Sequence, residues 1–166
     1  MRTLSVLIFI IVFSVGVNAQ DWHKMTENEL KVQVPEKAPV IKENIETEFR
    51  TASGITNGRS TIFGIIIITA GYEADGKYTH FLRSGTNLRV GSLDLAKGDY
   101  IFGYRRIDAE SLRVTFYKAS TGETVGEIKA IVEQKKGGIY SFLITPPVAK
   151  AGKIYIGRFT FDYLLK

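Results

Sequence analysis

The chain has 166 residues, a formal net charge of +5 and no cysteine. This length predicts one globular domain once a targeting segment is set aside. Without cysteine, disulfides and thiolate zinc sites are excluded. Charges of both signs are interspersed along the sequence, which is typical of a solvated surface and not of a nucleic-acid footprint. We therefore expect no nucleic-acid partner.

The first nineteen residues have the pattern of a secretory signal peptide. Arg2 supplies the positive charge, residues 4–17 are largely apolar, and Val17-Asn18-Ala19 fits a small-residue cleavage site. The apolar run is shorter than the roughly 18 to 20 residues that a transmembrane helix needs. The sequence therefore predicts a secreted or periplasmic protein that begins at Gln20 and has no transmembrane helix after cleavage.

Residues 20–44 are polar, and we expect them to precede the main domain, which we place at 45–166. Within this segment, Leu30 to Val34 alternates between apolar and polar residues, and Pro35 follows. Alternation that stops at a proline is typical of a short edge strand. The sequence thus predicts a strand here.

Tight-turn signals divide the middle of the chain. Asn57-Gly58 and Asp75-Gly76 each separate two strand-like runs, and Gly137-Gly138 is a third candidate turn. Such pairs favour hairpins because both residues tolerate a positive φ. The run at 60–72 is apolar on both faces, which predicts a central strand covered on both sides.

A short motif, Leu95-Ala96-Lys97-Gly98-Asp99-Tyr100, stands directly before another strand-like run. It resembles the tyrosine corner of Greek-key β-sandwiches, in which the tyrosine hydroxyl bonds to the backbone a few residues upstream. The resemblance implies that Leu95 enters the core and that Tyr100 closes the turn. With the short, regularly spaced strands, it favours an all-β fold: a single-domain antiparallel β-sandwich of Greek-key, Ig-like or transthyretin-like character.

An up-and-down β-barrel is the alternative fold, because tight hairpins favour a meander. The last predicted strand, at 153–165, carries an aromatic row formed by Tyr155, Phe159, Phe161 and Tyr163. These rings would line a cavity in a barrel, whereas they would fill the core of a sandwich.

The most regular hairpin pattern runs from residue 100 to residue 118. Matching its apolar residues across the turn predicts that Tyr104 lies opposite Leu112 and Phe102 opposite Val114. In this register Gly103 would lie opposite Arg113 on the outward face.

That outward face is the candidate binding face, formed by Arg105, Arg113 and Tyr117. Arginine forks beside an exposed tyrosine suit carboxylate-bearing or sulfated glycans, or an acidic protein surface. Gly103 would leave room for a ligand to approach the backbone. The alternative is that these residues only keep an exposed sheet soluble.

The two histidines of the sequence do not indicate a metal site. His23 and His80 are far apart and neither belongs to a metal-spaced pair. His80 lies in a strand pattern, so we expect it to be hydrogen-bonded within the sheet, and we expect His23 to be solvated. No Gly-x-Ser-x-Gly elbow is present either.

Glycosidase chemistry needs only two carboxylates about 5 to 10 Å apart. Glu127 with Glu133, and Asp94 with Asp99, are the candidate pairs. Nothing in the sequence marks any of them as buried or perturbed. We therefore expect no enzymatic activity, no metal and no cofactor.

These features favour a secreted or periplasmic, non-catalytic β-sandwich that acts as a binding or accessory module associated with the cell envelope. The expected partner is a glycan or a cell-envelope protein. Two alternatives stay open: a small apolar-ligand carrier built as a β-barrel, and a small outer-membrane barrel. Runs such as 100–105 are short for the second alternative, whose strands need about 9 to 11 residues.

Overall fold

The computed structural model describes residues 21–133 and 138–166, so the predicted signal peptide and Gly137 of the Gly137-Gly138 turn lie outside it. Its strands are β1 (His23–Lys24), β2 (Lys37–Val40), β3 (Glu43–Glu46), β4 (Ser53–Thr56), β5 (Thr61–Ile66), β6 (His80–Ser84), β7 (Leu88–Val90), β8 (Leu93–Leu95), β9 (Gly98–Arg106), β10 (Ser111–Lys118), β11 (Thr124–Val132), β12 (Tyr140–Ile144), β13 (Ala151–Gly157) and β14 (Phe159–Leu165). The helices are α1 (Glu27–Gln33) and a short 3₁₀ turn, Phe49–Thr51. Neither of these described helices is long and apolar enough to cross a bilayer.

Antiparallel pairing joins twelve of the described strands into one sheet, while β2 and β3 form a separate hairpin. Three meanders follow one another across the large sheet: β4-β5-β6, β9-β10-β11 and β14-β13-β12. The β7–β8 hairpin lies between β6 and β9 in sequence and pairs with β14. The chain then returns to pair β9 with β6.

The two ends of the large sheet approach each other. Strand β12 packs against β4 and β5, and the Ile144 amide donates a hydrogen bond to Ser53 Oγ at 3.0 Å. Within the described ranges no backbone ladder joins these ends, so the sheet coils without closing. The all-β antiparallel fold class is confirmed, and a sheet of this form does not decide between a sandwich and a barrel.

An inner core fills the space inside the coiled sheet. The ring of Phe116 lies 5.0 Å from that of Phe102 and 6.1 Å from that of Phe161, between centroids. Phe142 occupies the space beside Gly64, where a Cβ would come within 2.5 Å of its ring. Aromatic side chains therefore fill the interior of the described fold.

An outer core covers the opposite face of β4, β5, β6 and β9. Phe63 and Phe81 are fully buried there, beneath Leu30 of α1 and Ile45 of β3. On the other face of β5, Ile62 belongs to the inner core. The prediction of a central strand covered on both sides is confirmed for Thr61–Ile66, whereas the rest of the predicted run, 67–72, lies in the connection to β6.

Residues 30–34 are mostly helical, so the predicted edge strand at this position is wrong. The Thr26 amide donates to Glu29 Oε2 at 2.7 Å, and the Glu29 amide donates to Thr26 Oγ1 at 3.3 Å. This reciprocal capping box starts a helix. Leu30 then faces the outer core while Val32 is 81% exposed. The cap therefore decides the local structure against the alternating pattern.

The corner motif has the predicted geometry. The Tyr100 hydroxyl donates to the Ala96 carbonyl oxygen at 2.7 Å. Leu95 is 1% exposed and belongs to the inner core. The motif lies where the chain passes from β8, which pairs with β7, to β9, which pairs with β6.

The turn predictions have mixed outcomes. Asn57-Gly58 joins β4 to β5 in a hairpin, as predicted, with Gly58 at φ +77°. Asp75-Gly76 instead lies within the longer connection between β5 and β6. The predicted single last strand is two strands, β13 and β14, because the chain turns at Gly157 with φ +61°.

Candidate functional site

A groove of about 490 Å³ lies on the outer face of β9, β10 and β11, beside the connection that leads into β6. We call it the basic groove, and its lining residues are Asp75, Gly76, Lys77, Gly103, Tyr104, Arg105, Arg113, Thr115, Tyr117 and Glu127. The three residues of the predicted binding face, Arg105, Arg113 and Tyr117, all line it. The structure therefore brings these side chains to one concave surface.

Strand alternation sets this arrangement. Arg113, Thr115 and Tyr117 lie two residues apart on β10, so they share the outer face, while Val114 and Phe116 enter the inner core. A β-bulge between Phe116 and Tyr117 interrupts the pairing with β11 at the end of this row. Arg113 and Thr115 therefore pair regularly with Lys129 and Glu127 of β11, whereas Tyr117 pairs with Thr124 beyond the bulge.

The β9–β10 register differs from the predicted one by two residues. Tyr104 pairs with Val114, and Phe102 pairs with Phe116, so the predicted pairs Tyr104–Leu112 and Phe102–Val114 are wrong. Because the shift is an even number, each side chain keeps the face that alternation assigned to it. The Ile107–Ser111 backbone bond closes the turn that fixes this register.

Gly103 has a different partner from the one expected. It pairs with Thr115 and not with Arg113. A Cβ at Gly103 would overlap the Lys77 carbonyl oxygen, so the glycine makes room for the protein's own backbone. The close approach that the glycine permits thus places Lys77 at the groove.

The shifted register puts two arginines directly opposite each other. Arg105 pairs with Arg113 across the strands, and like charges directly opposite each other are destabilising. Arg113 Nε lies 3.6 Å from Glu127 Oε2, and both side chains are about half exposed. Within the described ranges, the Arg105 guanidinium has no carboxylate within 4.0 Å. The groove therefore retains uncompensated positive charge.

Two other arginines of the sheet, Arg83 and Arg89, are paired with carboxylates. Arg83 makes two 2.7 Å hydrogen bonds to the two oxygens of Asp99. Arg89 Nε donates to Asp94 Oδ1 at 2.9 Å, and this ion pair lowers the pKa of the Asp94 carboxyl. The pairing at these positions distinguishes them from Arg105.

Lysine and tyrosine side chains form one wall of the basic groove. Lys77 Nζ lies 5.0 Å from the ring centroid of Tyr78 and 5.4 Å from that of Tyr117. The two rings meet edge to face at 5.0 Å. The neighbouring Tyr78 hydroxyl raises the pKa of the Lys77 ammonium, so this group stays charged at neutral pH. Tyr78 is 2% exposed and anchors the wall to the outer core.

The carboxylates that could form a catalytic pair are held by other side chains. Thr115 Oγ1 donates to Glu127 Oε1 at 3.0 Å. Lys153 Nζ lies 2.6 Å from Glu133 Oε2, and the Tyr155 hydroxyl donates to the same oxygen at 3.2 Å. Across the described ranges, no group of three or more His, Asp and Glu residues could hold a metal ion.

His80 is buried in the sheet, as expected for a structural histidine. Its Nδ1 lies 2.8 Å from Thr79 Oγ1, and its ring stacks on Phe102 at 4.7 Å. Burial lowers the pKa of His80 to about 3, so the ring is neutral at ordinary pH. His23 is exposed, with Nε2 3.6 Å from Glu29 Oε1.

Sequence reasoning did not find Lys77, Tyr104 and Glu127 as parts of the groove. Glu127 was available from its outward position on β11, opposite Thr115. The position of Lys77 depends on how the long connection between β5 and β6 folds. Gly103 is a local signal for it, because the missing side chain leaves room for the Lys77 backbone. Comparison of the chain with known families, curated proteins and solved structures finds no match.

Proposed function

We propose that this chain is an exported, non-catalytic binding module whose basic groove holds an anionic glycan of the cell envelope or its surroundings. The observation that carries the proposal is the Arg105–Arg113 pair. Two like charges face each other across β9 and β10, and Arg105 has no carboxylate partner among the described residues. An anion between the two guanidinium groups would relieve their repulsion and accept charge-assisted hydrogen bonds from both.

The composition of the groove favours a glycan over an apolar ligand. None of the described residues that line it is aliphatic; they are charged residues, glycines, a threonine and two tyrosines. Tyrosine offers a flat apolar face with a polar hydroxyl, which suits a ring that carries both C–H faces and hydroxyl groups. Carriers of apolar ligands need an apolar cavity instead, and the interior here is filled by aromatic rings.

A polar groove of this kind also differs from a protein-binding surface. Protein–protein interfaces are enriched in arginine and tyrosine, but lysine, aspartate and glutamate are depleted in them. The basic groove is concave and is lined by Asp75, Lys77 and Glu127 as well as by its arginines and tyrosines, so we favour a glycan over an acidic protein partner.

A glycan array with sulfated and uronic-acid-containing probes tests the proposal. Wild-type protein should bind a subset of these anionic probes and leave neutral glycans unbound. The Arg105→Ala/Arg113→Ala variant should bind the same probes about tenfold more weakly or worse, since each lost charge-assisted hydrogen bond is worth about 1.5–3 kcal/mol.

The matched control is Lys24→Ala/Arg59→Ala. It removes the same amount of charge from exposed residues at the β1–β4 end of the sheet. The control should keep wild-type binding. Equal losses in the two variants would show that net charge alone attracts the probes, and binding of neutral probes in preference to anionic ones would contradict the proposal.

A further inference from the structure

A second groove lies at the end of the β9–β10 hairpin, where the inner core meets the surface. This end groove has a volume of about 290 Å³ and is lined by Tyr104, Arg106, Leu112, Ile156, Gly157 and Phe159. Unlike the basic groove, it contains aliphatic residues. It is a mouth of the inner core, because Leu112, Ile156 and Phe159 belong to that cluster.

Two guanidinium groups lie over an aromatic ring at this mouth. The Arg106 guanidinium carbon lies 5.7 Å from the centroid of Phe159, and that of Arg158 lies 5.4 Å from it. Arg158 Nη2 also donates to the Ala109 carbonyl oxygen at 2.8 Å, which ties it to the turn between β9 and β10. Within the described ranges, neither arginine has a carboxylate within 4.0 Å. The end groove is therefore also positively charged.

The two grooves meet at the last residues of β9. Tyr104 lines both of them and is 42% exposed. Arg105 and Arg106 follow it in β9, and consecutive residues of a strand point to opposite faces. Arg105 therefore lines the basic groove, whereas Arg106 lines the end groove. Gly157 at the far rim has open space where a Cβ would stand. A chain-like ligand thus has a continuous path across the end of β9.

We infer that the ligand is a linear anionic polysaccharide that occupies both grooves at once. This inference rests on the function proposed above. Its negative groups contact Arg105 and Arg113 in the basic groove, and further along the chain they contact Arg106 in the end groove. A sugar ring between these positions packs its C–H face on the exposed ring of Tyr104. A monosaccharide or a single anion would satisfy the basic groove alone.

The test compares short and long probes of two anion chemistries. Titration calorimetry with heparin-derived disaccharide and octasaccharide uses sulfated probes, and oligouronates of the same lengths use carboxylated ones. Wild-type protein should bind the octasaccharide of the preferred chemistry at least about tenfold more tightly than the disaccharide. In Arg106→Ala this ratio of affinities should fall severalfold.

Lys129→Ala is the charge-matched control, because Lys129 is exposed on β11 beside Arg113 and lines neither groove. Its affinity ratio should equal that of wild type. Equal affinities for the two lengths in wild-type protein, or an equal fall of the ratio in Arg106→Ala and Lys129→Ala, would overturn this inference while leaving the basic groove as a binding site. Failure of every anionic probe to bind would instead overturn the proposed function.

Discussion

The two faces of the β9–β10 hairpin have opposite characters although they share the same backbone. On the inner face, Phe102, Val114 and Phe116 are completely buried. On the outer face, Arg105 and Arg113 are exposed and lie opposite each other with like charges. The inner face contributes to stability, whereas the outer face includes an arrangement that costs stability. Such a cost at a concave surface is expected where a ligand compensates it.

The largest expected effect comes from the inner face. Phe116→Ala removes a ring that contacts Phe102 and Phe161. We expect the free energy of unfolding to fall by about 3–5 kcal/mol, because a cavity replaces a buried ring. Urea unfolding followed by circular dichroism measures this. A loss below about 1 kcal/mol would show that the inner face does not hold the fold together.

Acid should lower the stability of the fold through His80 of β6, whose buried ring stacks on Phe102 of the inner face. Its pKa is about 3 in the folded protein against 6.5 when exposed. Between these two values the unfolded chain binds a proton that the folded one does not, so stability falls as the pH falls from about 6.5 to about 3. The slope approaches 1.4 kcal/mol per pH unit within this window.

The variant His80→Phe tests the origin of that slope. The variant lacks the buried imidazole whose pKa is lowered in the folded protein. Urea midpoints measured from pH 7 to pH 4 should therefore depend less on pH in the variant than in wild type. Identical pH profiles would assign the acid sensitivity to carboxylates elsewhere.

On the outer face, Gly103→Ala should have an intermediate effect. The new methyl group would overlap the Lys77 carbonyl oxygen, which is backbone and must move. We expect a loss of about 1–3 kcal/mol together with weaker binding of anionic glycans, since Lys77 would leave the basic groove. Unchanged thermal unfolding would mean that the connection before β6 does not pack on Gly103.

The tyrosine hydroxyl of the corner gives a smaller effect. Tyr100→Phe removes only the hydrogen bond to the Ala96 carbonyl. The expected loss is about 0.5–1.5 kcal/mol, the net value of one such bond, whereas Leu95→Ala should cost about 2–5 kcal/mol because it removes a core side chain. A Tyr100→Phe midpoint equal to that of wild type would show that the hydroxyl bond contributes nothing.

Local signals explain which parts of this fold could be predicted. The corner and the Asn57-Gly58 turn were readable because each depends on a few adjacent residues. The helix at Glu27–Gln33 was missed because the alternation of residues 30–34 outweighed the capping box at Thr26 and Glu29, although that signal was present in the sequence. Local reasoning therefore failed where two local signals disagreed.

The candidate site was predicted only in part for a different reason. Alternation assigned Arg105, Arg113 and Tyr117 to one face, and that assignment survives the two-residue error in register because the error is even. In the predicted register Gly103 lies opposite Arg113, so the Arg105–Arg113 pair was not predicted. Lys77 comes from a connection that is distant in sequence and whose path depends on tertiary packing around Tyr78.

The most direct test of the central claim is titration calorimetry of Arg105→Ala/Arg113→Ala with a heparin-derived octasaccharide, on protein whose unfolding has been measured. Stability should stay within about 0.5 kcal/mol of wild type, because both side chains are exposed and their mutual repulsion is removed. The affinity should fall about tenfold or more. A variant that binds the octasaccharide as tightly as wild type, or one that unfolds far more easily, would contradict the assignment of the outer face to binding.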